Sequence, residues 1–104
     1  MKITSWNVNS LNVRLPHVLQ WLETHSVDVL ALQELKLDQD KFPIDALTDA
    51  GYQAVWLGQK TYNGVALIFK GEATDVVSGI PNYVDEQKRM IAATINGVRI
   101  INVY

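Results

Sequence analysis

Two side chains in this sequence carry oxygen atoms of the kind that bind a hard divalent cation, and each follows an apolar run. Asn7 follows the run that begins at Lys2, and Glu34 follows the stretch Val27–Gln33. Mg²⁺ takes oxygen ligands at about 2.1 Å, so two neighbouring strands ~4.8 Å apart could offer both side chains to one cation. The other interpretation is that Asn7 forms a turn and Glu34 ends a strand in solvent. The residues alone leave both interpretations open.

The elements that would bring these side chains together are a strand, a helix and a second strand. Lys2–Trp6 is predicted as a short strand, and the Asn- and Ser-rich stretch after it as a loop. Leucine and valine then recur at helical spacing to about Thr24, with Pro16 suited to the first turn. Val27–Gln33 is predicted as a buried strand. Two strands joined in this way run parallel in one sheet, so the candidate ligands are expected at the same edge.

The rest of the chain predicts further strands around one short helix. A helix over Pro43–Ala50 ends at Gly51, and strands over Tyr52–Leu57 and Val65–Phe69 are joined by the loop GQKTYNG. Gly71–Lys88, with its glycine, proline and acidic residues, is predicted as an irregular excursion. No repeat or linker divides the sequence, so one continuous α/β domain is expected.

The sequence RMIAATINGVRIINVY predicts a β-hairpin around Asn96 and Gly97. A two-residue turn fixes the register of the two strands. The predicted pairs are Ile95 with Val98, Ala93 with Ile100, Ile91 with Asn102, and Arg89 with Tyr104. Directly opposed residues share a face of the sheet, so Arg89 and Tyr104 are expected to meet at the open end of the hairpin.

Composition limits the classes of function. Of the 104 residues 48% are hydrophobic and 19% charged, as in a globular protein of one domain, and there is no cysteine for disulfide or thiolate chemistry. The formal charge of −2 gives no global attraction for a polyanion, so nucleic acid would need a local patch or a bound cation. The longest apolar run, Val65–Phe69, is too short to span a bilayer. The start lacks an apolar signal centre, so a cytoplasmic protein without a membrane partner is expected.

Five ordered motifs give the chain a resemblance to a known family. They are WNVNSLNVR, DVLALQELK, GQKTYNGVALIF, RMIAATI and INVY. In order and spacing they resemble the first half of the exonuclease III family of apurinic/apyrimidinic endonucleases, in the endonuclease, exonuclease and phosphatase superfamily. The resemblance implies an α/β fold, with a mixed β-sheet and flanking helices forming half of a four-layer, DNase I-like sandwich. It also implies hydrolysis of DNA with Mg²⁺ or Mn²⁺ at the phosphate 5′ to an abasic site, with 3′-5′ exonuclease or 3′-repair activity as further options.

The resemblance also implies roles for particular residues. Asn7 and Glu34 match the metal-site residues, and Tyr104 is similar to an active-site tyrosine that hydrogen-bonds near the scissile phosphate. The implied DNA contacts are Tyr62, Asn63 and Arg89. The residues expected to support the ligands are Asn9, Gln33 and Lys36. Asn9 departs from family members that carry an acid at this position.

The sequence is expected to be part of a larger domain, because the resemblance stops at Tyr104 while the family continues. Residues 1–104 would be the N-terminal half of an endonuclease/exonuclease/phosphatase domain whose C-terminal half, with a water-activating Asp and Asn and a terminal Asp and His, is absent. This chain alone is therefore expected to be inactive. Expected partners are double-stranded DNA with an abasic site or damaged 3′ end, the missing half of the domain, and a second copy of this half.

Two other functions stay open at this point. One is a superfamily phosphodiesterase or phosphatase with another substrate, such as phosphoinositides, sphingomyelin or general DNA. The other is a non-catalytic, self-associating half-domain. A phosphodiesterase assay beside a sedimentation measurement distinguishes these alternatives.

Overall fold

The computed structural model describes residues 1–79 and 88–104. The helices of these residues are α1 (Leu11–Thr24) and α2 (Ile44–Asp49), with a single-turn 3₁₀ helix over Gln39–Lys41. The strands are β1 (Ile3–Asn7), β2 (Val29–Gln33), β3 (Gln53–Leu57), β4 (Val65–Phe69), β5 (Ala73–Ser78), β6 (Met90–Ile95) and β7 (Val98–Val103). No helix in the described ranges is long and apolar enough to cross a membrane.

The strands form two sheets. The first sheet has the order β1-β2-β4-β3, in which β1 and β2 are parallel and the other neighbours are antiparallel. The second sheet has the order β5-β6-β7 and is antiparallel. Because α1 returns the chain for a parallel pairing, Asn7 lies opposite Gln33 and next to the position of Glu34. The predicted strand, helix and strand unit is confirmed.

Apolar side chains pack on both faces of the first sheet. On one face, β2 and β4 pack against the two helices through Leu30, Leu32, Ala66, Ile68, Val18, Leu22 and Leu47. On the other face they pack against the second sheet through Val29, Leu67, Phe69, Ile91, Ala93, Ile95 and Ile100. Full burial of each Val, Leu, Ile or Phe side chain among them contributes ~1.5–3 kcal/mol. The described residues thus form a helix layer and two packed sheets, and the predicted α/β class with a mixed sheet and flanking helices is confirmed.

The first helix begins earlier than predicted. The stretch expected as a loop already contains the first turn of α1, whose first residue, Leu11, is fully buried and donates its N–H to the Leu35 carbonyl at 2.9 Å. Pro16 therefore lies inside the helix rather than in its first turn. Its missing N–H leaves the carbonyl of Asn12 without a helical donor, and Asn12 is exposed, so water can satisfy that carbonyl.

The prediction of an irregular excursion over Gly71–Lys88 is wrong for its first part, because β5 occupies Ala73–Ser78. The register of β5 against β6 shifts between Thr74 and Val77, and Asp75 has a φ of 51°. This bulge breaks the alternation that marks a strand in sequence, and most of β5 is exposed. Residues 80–87 lie outside the described ranges.

The predicted hairpin is confirmed with its register. β6 and β7 pair Ile95 with Val98, Ala93 with Ile100 and Ile91 with Asn102. At the open end, the Tyr104 N–H donates to the Arg89 carbonyl at 2.8 Å, which continues the same ladder beyond the last paired residues. The loop sequence therefore determined which residues meet at the far end of the hairpin.

Candidate active site

A cleft of about 470 Å³ opens where the end of β2, the end of β7 and the loop between β3 and β4 converge. The residues that line this site cleft are Glu34, Lys36, Tyr62, Asn63, Arg89 and Tyr104. All six were singled out in the sequence, although they lie up to 70 positions apart, as Glu34 and Tyr104 do. The fold therefore brings one carboxylate, two cations and two phenols to a single place.

An unusual backbone at the end of β2 turns the Glu34 side chain toward the cleft. Glu34 and Lys36 have φ angles of 59° and 53°, while Leu35 between them is fully buried. The N–H groups of Leu35 and Lys36 donate to the carbonyls of Gly64 and Asn63 at 3.2 and 3.0 Å. Left-handed conformations at ordinary residues cost about 1–3 kcal/mol each and persist only where the surroundings hold them. Here the core anchors Leu35, and both neighbours face outward.

Tyr104 reaches the same point from the second sheet. Its hydroxyl donates a short hydrogen bond to Glu34 Oε1. The guanidinium carbon of Arg89 lies 5.8 Å from the centre of the Tyr104 ring, at cation–π range. The hydrogen bond to Glu34, partial desolvation and the charge of that carboxylate raise the pKa of Tyr104 above its ordinary value of 10.0, whereas Arg89 and Asn7 lower it. Tyr104 is therefore a neutral phenol at physiological pH and can donate a hydrogen bond.

Asn7 approaches the site from β1. It is the last residue of that strand, and its Oδ1 accepts a hydrogen bond from the Asn9 N–H at 3.1 Å. Its side chain is close enough to the Tyr104 hydroxyl to lower the pKa of that group. Asn7 thus joins the cluster through Tyr104, from a position outside the lining of the site cleft.

Lys36 and Asn9 form a pair beside the carboxylate. Lys36 Nζ donates to Asn9 Oδ1 at 2.6 Å and lies 3.8 Å from Glu34 Oε2. The side chains of Lys36 and Glu34 are partly exposed, so solvent screens this ion pair and it adds little stability. The main effect of the ion pair is local, because the Lys36 ammonium offsets the negative charge of Glu34 at the place where a cation would bind.

The loop between β3 and β4 presents one of its two candidate DNA contacts to solvent and buries the other. Tyr62 is 66% exposed, whereas Asn63 is 7% exposed and donates through Nδ2 to Gln59 Oε1 at 3.2 Å. Gln59 Oε1 also accepts the Lys88 N–H at 2.9 Å, and the Gly64 N–H donates to the Lys88 carbonyl at 2.9 Å. Gln59 therefore links this loop to Lys88, the residue before the third candidate DNA contact, Arg89. Gln59 was not predicted, since an isolated glutamine in a loop gives no signal in sequence.

Gln33, predicted as a supporting residue, lies between the two sheets and outside the lining of the site cleft. It bonds there to Asn102, which the sequence did not single out. The period of β7 does place Asn102 on the inner face of the second sheet, so a polar residue at an inward position was the available signal.

The oxygen atoms around Glu34 suit a hard cation in type but are few in number. Within residues 1–79 and 88–104, no three or more His, Cys, Asp or Glu side chains are grouped so that they could hold a metal ion. One carboxylate and one amide leave most of the octahedral positions of Mg²⁺ to water or to other ligands. The residues present fit a weak, largely hydrated site for Mg²⁺ or Mn²⁺.

Comparison with known proteins identifies the family to which this fold belongs. The sequence model of the endonuclease/exonuclease/phosphatase family matches residues 4–104. The chain therefore belongs to this family.

Several relatives have names that describe nucleases or phosphatases. Exodeoxyribonuclease III of Haemophilus influenzae is 39% identical over 97 residues, which are 91% of this chain and 36% of that protein. A solved 3′ phosphatase from Neisseria, bound to product DNA hairpin, is 60% identical with a TM-score of 0.97, over all of this chain and 41% of its own. An AP endonuclease from Archaeoglobus fulgidus is 38% identical with a TM-score of 0.96, over all of this chain and 40% of its own. The chain thus spans roughly two-fifths of the length of these relatives.

Proposed function

We propose that this chain supplies the cation-binding and phosphate-binding part of a DNA repair phosphodiesterase. The observation that carries the proposal is the contact between the Tyr104 hydroxyl and Glu34, made at the ends of strands from two different sheets and beside the cation Arg89. The substrate would be double-stranded DNA with an abasic site or a damaged 3′ end. The reaction would be hydrolysis 5′ to the abasic site, with 3′-5′ exonuclease or 3′-repair activity as related reactions of the same site.

Glu34 and Asn7 are the residues that would hold Mg²⁺ or Mn²⁺. When bound, such a cation polarises a phosphoryl oxygen and stabilises charge on the leaving oxygen, which is worth several kcal/mol of transition-state stabilisation. Glu34 accepts the Tyr104 hydrogen bond on one carboxylate oxygen, and its other oxygen lies toward Lys36. The carboxylate is therefore oriented before any ligand arrives, which removes part of the cost of forming the site.

The neutral Tyr104 phenol and the Arg89 guanidinium would bind the phosphate oxygens. A phenol with a raised pKa keeps its proton and can donate to an oxygen as negative charge develops there. Arg89 offers a planar set of N–H donors suited to phosphate, and the exposed Tyr62 can contact the DNA backbone beside it. Contacts of this kind position a DNA strand without reading its sequence.

We propose further that residues 1–104 are the N-terminal half of the domain, which acts together with a C-terminal half. The resemblance implies that a water-activating Asp and Asn would lie outside these residues. A positioned general base contributes ~10²–10⁴ in rate, so this chain alone would have no useful activity. The cytoplasmic location stays a prediction from the sequence.

A chimera tests the proposal. Residues 1–104 replace the matching segment of the 60% identical Neisseria protein, whose fold they share over their whole length. The substrates are duplexes with an abasic-site analogue or with a 3′-phosphate end, in Mg²⁺, Mn²⁺ or EDTA. We expect cleavage or dephosphorylation that requires the cation, and a loss of ~10²-fold or more in the Tyr104→Phe chimera because one donor to the developing charge is gone.

Glu34→Gln and Glu23→Gln form a matched pair of carboxylate substitutions. Glu23 is exposed on α1 and lies outside the site cleft, so its variant should retain the activity of the parent chimera. Glu34→Gln should abolish activity. A Glu34→Gln chimera as active as the Glu23→Gln chimera would show that the candidate site has no part in the reaction. Cleavage of abasic DNA by the 104-residue chain alone, lost in Glu34→Gln, would show that the second half is unnecessary.

A further inference from the structure

A buried pair of amides joins the ends of β2 and β7 directly behind the contact between Glu34 and Tyr104. Gln33 is 8% exposed and Asn102 3% exposed, and Gln33 Nε2 donates to Asn102 Oδ1 at 2.8 Å. One residue belongs to the first sheet and the other to the second, where the remaining packing between the sheets is aliphatic and aromatic. Glu34 follows Gln33 immediately, and Tyr104 lies two residues after Asn102.

The direction of every hydrogen bond in this pair is fixed by its neighbours. Asn102 Nδ2 donates to the backbone carbonyls of Leu32 and Ala66, both at 2.8 Å. Because carbonyls only accept, the nitrogen of Asn102 must face them and its oxygen must face Gln33. Gln33 Nε2 also donates to Ser5 Oγ at 3.0 Å. One network therefore ties β1, β2, β4 and β7 together.

We infer that Gln33 and Asn102 are positioning residues that set the distance between the Glu34 carboxylate and the Tyr104 hydroxyl. The inference rests on the proposed function, in which that distance shapes the cation and phosphate site. Apolar contacts between the two sheets have no direction, whereas the amide hydrogen bonds require a defined approach of β7 to β2. A shift of β7 would also displace Tyr104, which lies two residues after Asn102. A misplacement of 1 Å in a catalytic geometry can cost ~10² in rate.

The competing explanation is that the pair only stabilises the packing of the two sheets. Three variants of the 104-residue chain separate the two explanations: Gln33→Met, Asn102→Leu and the double variant. The measurements are nuclear Overhauser contacts between the Tyr104 ring and the Glu34 side chain, the thermal midpoint, and the Kd for Mn²⁺ from paramagnetic broadening. Gln33→Met is the milder change, because it leaves both donations of Asn102 to the carbonyls in place.

We expect each single variant to lose the Overhauser contact and to bind Mn²⁺ ~10-fold more weakly, the usual effect of removing a residue that orients a ligand. The double variant should weaken Mn²⁺ binding no more than the more harmful of the two single variants does, because both substitutions break the same hydrogen bond. Gln33→Met decides the question alone if Asn102→Leu does not fold.

Ile100→Val is the matched control. It removes one methylene from the inner face of β7, two residues before Asn102, and leaves the amide pair intact. Its thermal midpoint should fall while the Overhauser contact and the Mn²⁺ affinity stay at the parent values. A Gln33→Met chain that behaves in the same way would overturn the inference and leave the pair a purely structural link. Absence of Mn²⁺ broadening around Glu34 in the parent chain would instead count against the proposed function, and the Overhauser contact would then decide the positioning role by itself.

Discussion

Gly64 lies beside the candidate site and has little room for even one methyl group. Its N–H donates to the Lys88 carbonyl and its own carbonyl accepts from the Leu35 N–H, so it connects the end of β2 to the segment before β6. It has a φ of +92°, and a Cβ built on it would lie 2.9 Å from the Cβ of Leu35. Gly64→Ala therefore introduces both backbone strain and a clash, directly beside Glu34.

The two costs can be estimated separately. An alanine in the left-handed region costs ~1–2 kcal/mol relative to its preferred conformations. Forcing a methyl group into a packed contact costs typically ~1–3 kcal/mol, and Leu35 is fully buried and close to its own backbone at the contact. The expected loss of unfolding free energy for Gly64→Ala is thus ~2–5 kcal/mol. Gly97→Ala supplies the strain without the clash, because Gly97 has a φ of +81° and nothing within 4 Å of its Cβ position.

Denaturant unfolding of the two variants isolates the effect of the clash. With the m-value unchanged, the shift in midpoint reports the change in free energy. We expect Gly97→Ala to lose ~1–2 kcal/mol and Gly64→Ala a further ~1–3 kcal/mol. Mn²⁺ broadening around Glu34 should weaken only in Gly64→Ala. Equal losses of unfolding free energy in both variants, with equal Mn²⁺ binding, would refute the reasoning. Such a result would mean that Leu35 can move away from the new methyl group without displacing its neighbours.

Three further predictions concern the cation, the phenol and the surface of the second sheet. Mn²⁺ should bind the chain with a Kd no tighter than about 1 mM, because the chain offers few ligands, and broadening centred away from Glu34 would contradict the site. The pKa of Tyr104 is raised in the folded state, so its contact with Glu34 should be intact below pH 10.0 and lost as the pH rises through the raised pKa. Ring-labelled NMR titration checks this loss, and a Tyr104 resonance that titrates below pH 10.0 would contradict it. Ile101 and Val103 are 63% and 60% exposed on β7, so the chain should self-associate in sedimentation experiments, and Ile101→Lys should reduce that association. An unchanged sedimentation coefficient over a wide concentration range would show that this surface does not drive association.

The parts of the fold that were predictable depend on local chemistry. The turn at Asn96 and Gly97 determined the register of β6 and β7, because these residues suit a type I′ turn, which needs a positive φ at both central positions; their φ angles are 51° and 81°. The parallel pairing of β1 and β2 followed from the intervening helix, since a strand, helix and strand connection leaves few alternatives. These two features were enough to predict that Arg89 meets Tyr104 and that Asn7 and Glu34 share an edge of the sheet.

The features that were missed depend on contacts between distant residues. β5 was not recognised because its bulge at Asp75 interrupts the alternation and its partners come from β6. The start of α1 was placed too late because Leu11 is held by a bond to Leu35, which no local pattern reveals. Asn63 was predicted as a DNA contact and lines the site cleft, but its hydrogen bond to Gln59, four residues earlier, was not foreseen. Sequence reasoning found the residues that line the site cleft, but it did not find Gln59 or Asn102, which make hydrogen bonds to predicted site residues.

The left-handed backbone at Glu34 and Lys36 has a consequence for protein engineering. Glycine or asparagine suits these φ angles better than glutamate or lysine, so a search for stabilising substitutions would favour replacing both residues. The stabilised protein would keep its sheets and its core and would lose the carboxylate and the ammonium that define the cleft. Selection for thermal stability alone should therefore remove the site residues before it disturbs the fold. If glutamate is retained at position 34 in such a selection, its side chain contributes more to folding than the backbone strain costs.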